Sequence, residues 1–416
     1  MSVAKKKSAR TKDAASNYLA RIKVVGIGGG GGNALSRMKE DFGVRGVEFI
    51  AINTDAQDLE GCRARRRIHI GKNITRGLGT GMNPEIGRQA AEENRSEIVE
   101  ALRGADLVFI TAGLGGGTGS GGAPIVAEAA KEVGALAVSV VTKPFSFEGS
   151  QRARIAEEAA AKLKERSDTL IIVPNDRIFS IIQKDTPVLK AFSHIDDVLK
   201  NAVQGIAELI AMPGVINVDF ADVKSVMEDA GSALVGIGIA GGQDRAVAAI
   251  EQAINSPLLE LSIEGARGVL LAVSGGRDLA MSEINEIAQM VREAVDPDAK
   301  IIFGAYHDRR LAKGKFKVVL VATGFNGLIV SSADANLPMS SLFTSPVEEK
   351  IGASESGWPA AEPGAPINEK APLKTEEKKL KITREDENSK KAKQKKSDDI
   401  WDIPTFLRRR KKDKEQ

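Results

Sequence analysis

The residues most able to do chemistry in this sequence are glycines and carboxylates. Gly26-Ile27-Gly28-Gly29-Gly30-Gly31-Gly32-Asn33 follows an apolar, β-branched run and precedes a helix-like segment. Lacking side chains, such residues let successive backbone N–H groups converge on an anion, and the helix amino terminus adds a favourable dipole. Gly29, Gly30, Gly31, Gly32 and Asn33 are therefore candidates to hold phosphate. A second run, 112–122, repeats the arrangement, with Gly116, Gly117, Thr118 and Gly119 at its centre. Thr118 and Ser120 add hydroxyls for phosphate oxygens or for water on Mg²⁺.

Two other readings of these runs stay open. The first run satisfies G-x-G-x-x-G, the dinucleotide fingerprint, and a purely structural glycine turn is also possible. Two such loops in one sheet can face each other across a single crevice, however, whereas a dinucleotide fold needs only one. No G-x-x-x-x-G-K-[ST] loop occurs, and around Ser120 the nucleophile-elbow pattern fails because Thr118 stands at its first glycine position.

The third motif is Asn217-Val218-Asp219-Phe220-Ala221-Asp222. Carboxylates three residues apart can face one way at a helix start and polarise a water for attack on phosphorus. Helix capping is the competing reading.

The elements that must position these residues follow from apolar periodicity. Runs at 22–27, 47–52, 107–111, 136–141 and 170–173 read as buried strands, separated by helix-like segments at 34–39, 85–102, 124–132 and 152–166. Their alternation predicts a doubly wound, Rossmann-like α/β domain. A central helix is expected from about 196 to 212, because Leu199, Val203, Ile206 and Ile210 form one apolar stripe and Pro213-Gly214 ends it. A smaller α/β unit then has strands at 234–240, 268–273, 300–305 and 316–322 and helices at 245–255 and 282–295. The expected organisation is a basic disordered tail (1–20), a nucleotide domain (21–195), a connecting helix (196–213), a second α/β domain with the acidic loop at its start (214–330), a disordered linker (331–397) and a terminal peptide with a basic end (398–416).

Composition narrows the function. The net charge is +3, yet the first 20 residues carry +4 and 408–414 carry +5, so the remainder is slightly acidic. A nucleic-acid-binding core would instead present a basic face, which makes nucleic acid an unlikely partner. The single cysteine, Cys62, cannot pair internally and fits a reducing cytoplasm. No Cys/His cluster has zinc spacing, no secretory leader is evident, and no run approaches the ~20 apolar residues of a membrane span.

Residues 113–122 resemble the G-G-G-T-G-[ST]-G signature of the tubulin superfamily, and with 28–33 they resemble the FtsZ family of bacterial cell division. The likeness continues through 53–57, 77–88, Lys143-Pro144-Phe145, Val173-Pro174-Asn175-Asp176 and Asp197-Val198-Leu199, covering about 22–325 and the last peptide. It implies a GTPase that binds GTP or GDP, with Mg²⁺ carried by the phosphates and water, and that polymerises head to tail. By the same resemblance Glu148, Arg152, Phe192 and Asp197 hold base and ribose. Chemically, a carboxylate such as Asp197 can accept two N–H bonds from guanine, Glu148 can take ribose hydroxyls and Phe192 can stack. Asn217, Asp219 and Asp222 would complete hydrolysis in the next subunit's pocket. Asp402, Ile403, Pro404, Phe406 and Leu407 match the peptide bound by membrane-tethering and regulatory division proteins (FtsA-like, SepF-like or ZipA-like). Location at midcell on the inner face of the membrane follows from those partners. Thr80 and Met82 depart from the pattern, standing where the family usually has small residues. A dinucleotide oxidoreductase and a filament scaffold that binds nucleotide without hydrolysing it are the alternatives.

Overall fold

The computed structural model describes residues 20–44, 46–182, 185–256, 262–308 and 310–325. The expected amino-terminal tail up to residue 19, the linker 331–397 and the peptide 398–416 lie outside the described residues.

The chain forms β1 (Ile22–Ile27), α1 (Gly28–Asp41), β2 (Glu48–Asn53), α2 (Ala56–Gly61), β3 (Arg66–His69), α3 (Lys72–Thr75), α4 (Pro84–Glu93), α5 (Arg95–Leu102), β4 (Leu107–Gly113), α6 (Gly117–Glu132), β5 (Leu136–Lys143), α7 (Ser150–Arg166) and β6 (Thr169–Pro174). Then come α8 (Val188–Ala211), α9 (Phe220–Met227), β7 (Gly231–Gly241), α10 (Arg245–Ile254), β8 (Gly268–Gly275), α11 (Met281–Ala294), β9 (Lys300–His307) and β10 (Lys315–Thr323). The strands make one sheet in the order β3-β2-β1-β4-β5-β6-β7-β10-β8-β9. Strands β3 to β6 are parallel. Strand β7 joins β6 in parallel over only the short stretch Thr169↔Gly231 to Ile171↔Ala233, then pairs antiparallel with β10. The expected doubly wound domain and the smaller α/β unit are thus both present, and one strand bridges them.

Helices cover both faces of the parallel half, so its central strands are largely apolar; β4 is buried along its length except at Gly113. Because β1 has β2 on one side and β4 on the other, the chain leaves β1 and β4 in opposite directions. Such a switch point opens a crevice beyond the strands' carboxyl ends, and it is where α1 and α6 begin.

Several elements differ from the periodicity reading. The helix expected over 85–102 is two helices, broken at Asn94, whose side-chain oxygen accepts from the Gly71 N–H at 3.0 Å. Strand β3 is masked in the sequence by Arg66 and Arg67, which an edge strand tolerates because one side faces solvent. Helix α8 starts at Val188, immediately after Pro187, and not near 196. Pro187 pre-sets an extended φ of −57° before the first turn, and buried Ala191, Ile195 and Leu199 extend the apolar stripe backwards at four-residue intervals. Its 24 residues span about 36 Å.

The buried stripe of α8 also carries a carboxylate, Glu208, with no solvent exposure of its side chain. It accepts from Gln204 Nε2 at 2.6 Å and Tyr306 Oη at 2.7 Å, and it pairs with the Arg310 guanidinium. Arg310 in turn binds Asp308 through Nε at 2.9 Å. Burial, with Glu208 beside it, pushes the Tyr306 phenol well above its ordinary range. Burial also pulls the nearby Lys317 ammonium down, against the attraction of Glu208 and Asp308. This cluster ties the middle helix to β9, β10 and their connection. Among the described residues no helix is long and apolar enough to cross a membrane.

Candidate functional site

The glycine runs are not loops followed by helices. They are the first turns of the helices: α1 begins at Gly28, where the sequence predicts helix only from 34, and α6 begins at Gly117. Packing explains the absence of side chains. A Cβ on Gly31 would strike the Thr111 carbonyl, one on Gly121 the Pro84 carbonyl, and one on Gly117 the Thr80 side chain. Gly28 and Gly115 have φ of +69° and +93°, which lets the backbone turn sharply from strand into helix.

The two helix starts come together at a cleft of about 630 Å³, and a Cβ on Gly28 would meet the Gly119 nitrogen at 3.2 Å. That volume suits a nucleotide-sized ligand. Gly29, Gly30, Gly32 and Asn33 line it on one side, Gly116, Gly117, Thr118 and Gly119 on the other. Gly31 does not: it is buried against β4, so its place among the expected phosphate contacts is corrected to a packing role. With two helix amino termini and their unpaired N–H groups converging, the cleft is built to hold a polyanion.

Glu148, Arg152 and Phe192 line the same cleft. Glu148 accepts from the Phe145 N–H at 3.0 Å and from Arg152 at 3.1 Å, so both side chains are held in place before any ligand arrives. Phe192, on α8, meets Phe145 edge to face at 5.6 Å. Asn175, just past β6, adds to the cleft wall a buried side-chain oxygen with no hydrogen-bond partner among the described residues, an acceptor that a bound ligand can satisfy. The sequence showed Asn175 only as part of a family motif; its position at a strand's carboxyl end was the available signal.

Asp197 is the second correction. It lies outside the cleft, in a separate shallow depression with Ile237 and Ile239, paired to Lys200 at 2.9 Å. The cleft carboxylate is its neighbour Asp196, held by Arg37 of α1 at 2.9 Å. One step along a helix turns a side chain by about 100°, so adjacent acids on α8 face different surroundings.

Asn217, Asp219 and Asp222 do not reach the cleft at all. Asn217 accepts from the Gly214 N–H at 2.8 Å, shaping the turn after α8. Asp219 caps α9, accepting from the Asp222 N–H at 2.7 Å, so capping is real here. It still leaves carboxylate capacity over: Asn217 and Asp219 are exposed and Asp222 half-buried. Helix α9 packs against the amino-terminal end of the sheet, where Thr169 at the start of β6 donates to the Met227 carbonyl and Thr323 donates to that of Val226 at 3.0 Å. The cleft is at the carboxyl ends of β6 and the parallel strands beside it. The acids and the cleft therefore occupy opposite edges of one molecule.

The expected tail residues Asp402, Ile403, Pro404, Phe406 and Leu407 lie outside the described residues. Among the described residues no group of three or more His, Cys, Asp or Glu converges as a metal site.

Residues 21–183 match the family model of the Tubulin/FtsZ GTPase domain, and 231–326 match that of the FtsZ family C-terminal domain. Among solved structures, an empty FtsZ dimer from M. jannaschii is 47% identical, with 76% of this chain and 91% of that one covered and a TM-score of 0.71. CetZ2 from Haloferax volcanii, as a GTPγS-bound protofilament, shares the fold at 22% identity, covering 74% of this chain and 94% of that one with a TM-score of 0.64. With both domains matched in order and nearly half of the aligned residues identical, the chain belongs to the FtsZ family of tubulin-like GTPases.

Proposed function

We propose that this GTPase assembles head to tail and that each hydrolytic site is completed by the acids of the next subunit. The observation that carries this is the separation just described: the cleft holds the glycines and the expected base-contacting side chains, while the exposed Asp219 and the half-buried Asp222 stand beyond the other end of α8. In a heterologous contact that does not close, the second edge of one molecule meets the cleft of another, and a filament results. Both edges carry exposed apolar side chains suited to such a junction: Leu78 and Phe147 around the cleft, Val215 and Met281 near the acidic turn.

In the proposed chemistry the helix starts neutralise the phosphates, and Mg²⁺, carried by phosphate oxygens and water, would supply further charge stabilisation. The incoming Asp219 and Asp222 orient and deprotonate the attacking water, with Asn217 fixing their turn. Assembly thereby licenses hydrolysis, and loss of the terminal phosphate weakens the junction. We further assign the filament to the division ring at midcell, tethered to the membrane through partners that bind the peptide ending in Phe406-Leu407. The test is light scattering with GTP, GDP and ATP alongside phosphate release at several protein concentrations. Scattering specific to GTP, and a rate per molecule that climbs above a threshold concentration, are expected; full turnover by dilute monomer would refute the shared site.

Base recognition is assigned to Asp196. Asp196→Ala should weaken GTP binding by about 10- to 100-fold, the worth of hydrogen bonds to a charged acceptor. Asp197→Ala should leave it unchanged. Titration of a fluorescent guanine nucleotide distinguishes the two; the opposite ranking would return the role to Asp197.

A further inference from the structure

Strand β3 closes one side of the sheet, and that side is basic. Between residues 61 and 84 the chain has six Lys or Arg and no Asp or Glu: Arg63, Arg65, Arg66, Arg67, Lys72 and Arg76. All are exposed except the half-buried Arg66. Glu40 and Glu48, on the neighbouring α1 and β2, are taken up by Arg63 and Lys23. Among the described residues Arg65 and Arg66 have no ion-pair partner, and Arg67 donates Nε to the Ala64 carbonyl at 3.2 Å. Side chains of an edge strand alternate between its two faces, but arginines are long enough to bring their guanidinium groups out past the edge.

Cations on an edge strand also keep sheets from pairing edge to edge. Here the charge does not stop at the strand. It continues through Lys72 and Arg76 at the two ends of α3, between which Ile74 is an apolar side chain 42% exposed. The chain ahead of β1 adds five Lys or Arg in its first twelve residues, and β1 lies two strand spacings, about 10 Å, from β3.

The breadth of this surface selects its partner. Arg65, Arg66, Arg67, Lys72 and Arg76 line neither the cleft nor the depression beside Asp197, so no concavity there captures a small anion. The stretch 61–84 holds no Phe, Trp or Tyr on which the bases of a single-stranded nucleic acid could stack. A broad array of cations with an apolar side chain among them suits an anionic bilayer surface. Head-to-tail assembly leaves this side free: the parallel strands run toward the cleft from the end where the acids lie, so the filament axis follows the strands and β3 lies along the flank, once per subunit. Each cation near an anionic surface is worth about 5-fold in affinity, so one subunit binds weakly, while a filament presenting the strip repeatedly gains through effective concentration. We propose that the arginine-rich edge strand β3 is a docking face for anionic phospholipid, laying the flank of the filament on a membrane. The proposal rests on the head-to-tail reading above, which supplies the repetition.

The experiment assembles the full chain with a non-hydrolysable GTP analogue and keeps a parallel sample in GDP, with light scattering to report assembly. Co-flotation is measured with vesicles of phosphatidylcholine alone and with phosphatidylglycerol added, and fluorescence anisotropy with single- and double-stranded oligonucleotides. One variant combines Arg65→Gln, Arg66→Gln and Arg67→Gln; the other places Lys at the same three positions. Wild-type filaments should float with the anionic vesicles and not with the neutral ones, and unassembled protein should bind about 100-fold more weakly. The glutamine variant should assemble and hydrolyse GTP like wild type but bind anionic vesicles about 100-fold more weakly, while the lysine variant stays within about 5-fold of wild type. Undiminished binding by the glutamine variant, or equal binding of wild type to neutral vesicles, would overturn the proposal. So would tighter binding to oligonucleotides than to anionic vesicles, which would make nucleic acid the partner. A glutamine variant whose filaments aggregate while vesicle binding is unchanged would mean that the arginines only guard the edge. Wild-type protein that never assembles, yet binds anionic vesicles through the same arginines, would overturn the head-to-tail reading alone, so the two failures are separable.

Discussion

Asp222→Ala should leave GTP binding almost unchanged and lower phosphate release by about 10²- to 10⁴-fold, the range associated with removing a positioned acid–base group. The geometry demands this split. Asp222 lines no part of its own cleft, so monomer affinity has no reason to move; its N–H contribution to the α9 cap is a backbone one and survives the substitution. Nucleotide titration and phosphate release on the same preparation measure both halves. A shared site adds a sharper result: mixing Asp222→Ala with Asp196→Ala, at GTP concentrations too low to load the latter, should give more turnover than the two variants show separately. An intact cleft from the first variant can then meet intact acids from the second. If nucleotide binding falls as far as turnover, or if mixtures never exceed the sum of their parts, the acids do not act across a junction.

Glu208→Ala should be among the most destabilising single substitutions outside the cleft. Removing one member of a buried ionic cluster leaves its partners charged and unpaired, at a cost of about 3–5 kcal/mol. Tyr306 loses its acceptor, Arg310 loses its inner carboxylate, and the ammonium of Lys317, already disfavoured by burial, loses an attractive neighbour. For a domain of this size the midpoint of thermal unfolding should fall by about 6–20 °C. Tyr306→Phe, which removes one donor and no charge, should cost only about 1 kcal/mol. Circular dichroism melts of the variants check the ranking; a Glu208→Ala protein as stable as wild type would mean that the cluster contributes nothing net. Because α8 runs from Asp196 in the cleft to the turn before Asp219, this cluster also fixes how firmly the helix is seated between the two functional edges.

Much of this was legible from residue types. Val24 and Val25 announce a buried strand, Leu199 to Ile210 a helix stripe, and the glycine runs the walls of a cleft, because burial and close backbone approach each demand particular side chains, or none, in local succession. The limits were equally physical. Glycine's weak helix propensity made Gly28 to Gly32 and Gly117 to Gly122 read as loops; in the structure the sheet and helix α4 hold them helical.

The sequence by itself determined the α/β alternation and the glycine runs that line the cleft, since these depend on composition and short-range spacing. Only the tertiary structure decided that Asp196 and not Asp197 faces the cleft, that Gly31 is buried against β4 and off the cleft wall, that the distant Thr54, Thr80 and Thr118 share one hydrogen-bond network, and that the acids stand away from the cleft. Those facts depend on helix rotation, on strand order and on which surfaces meet across long stretches of chain, and no local pattern encodes them.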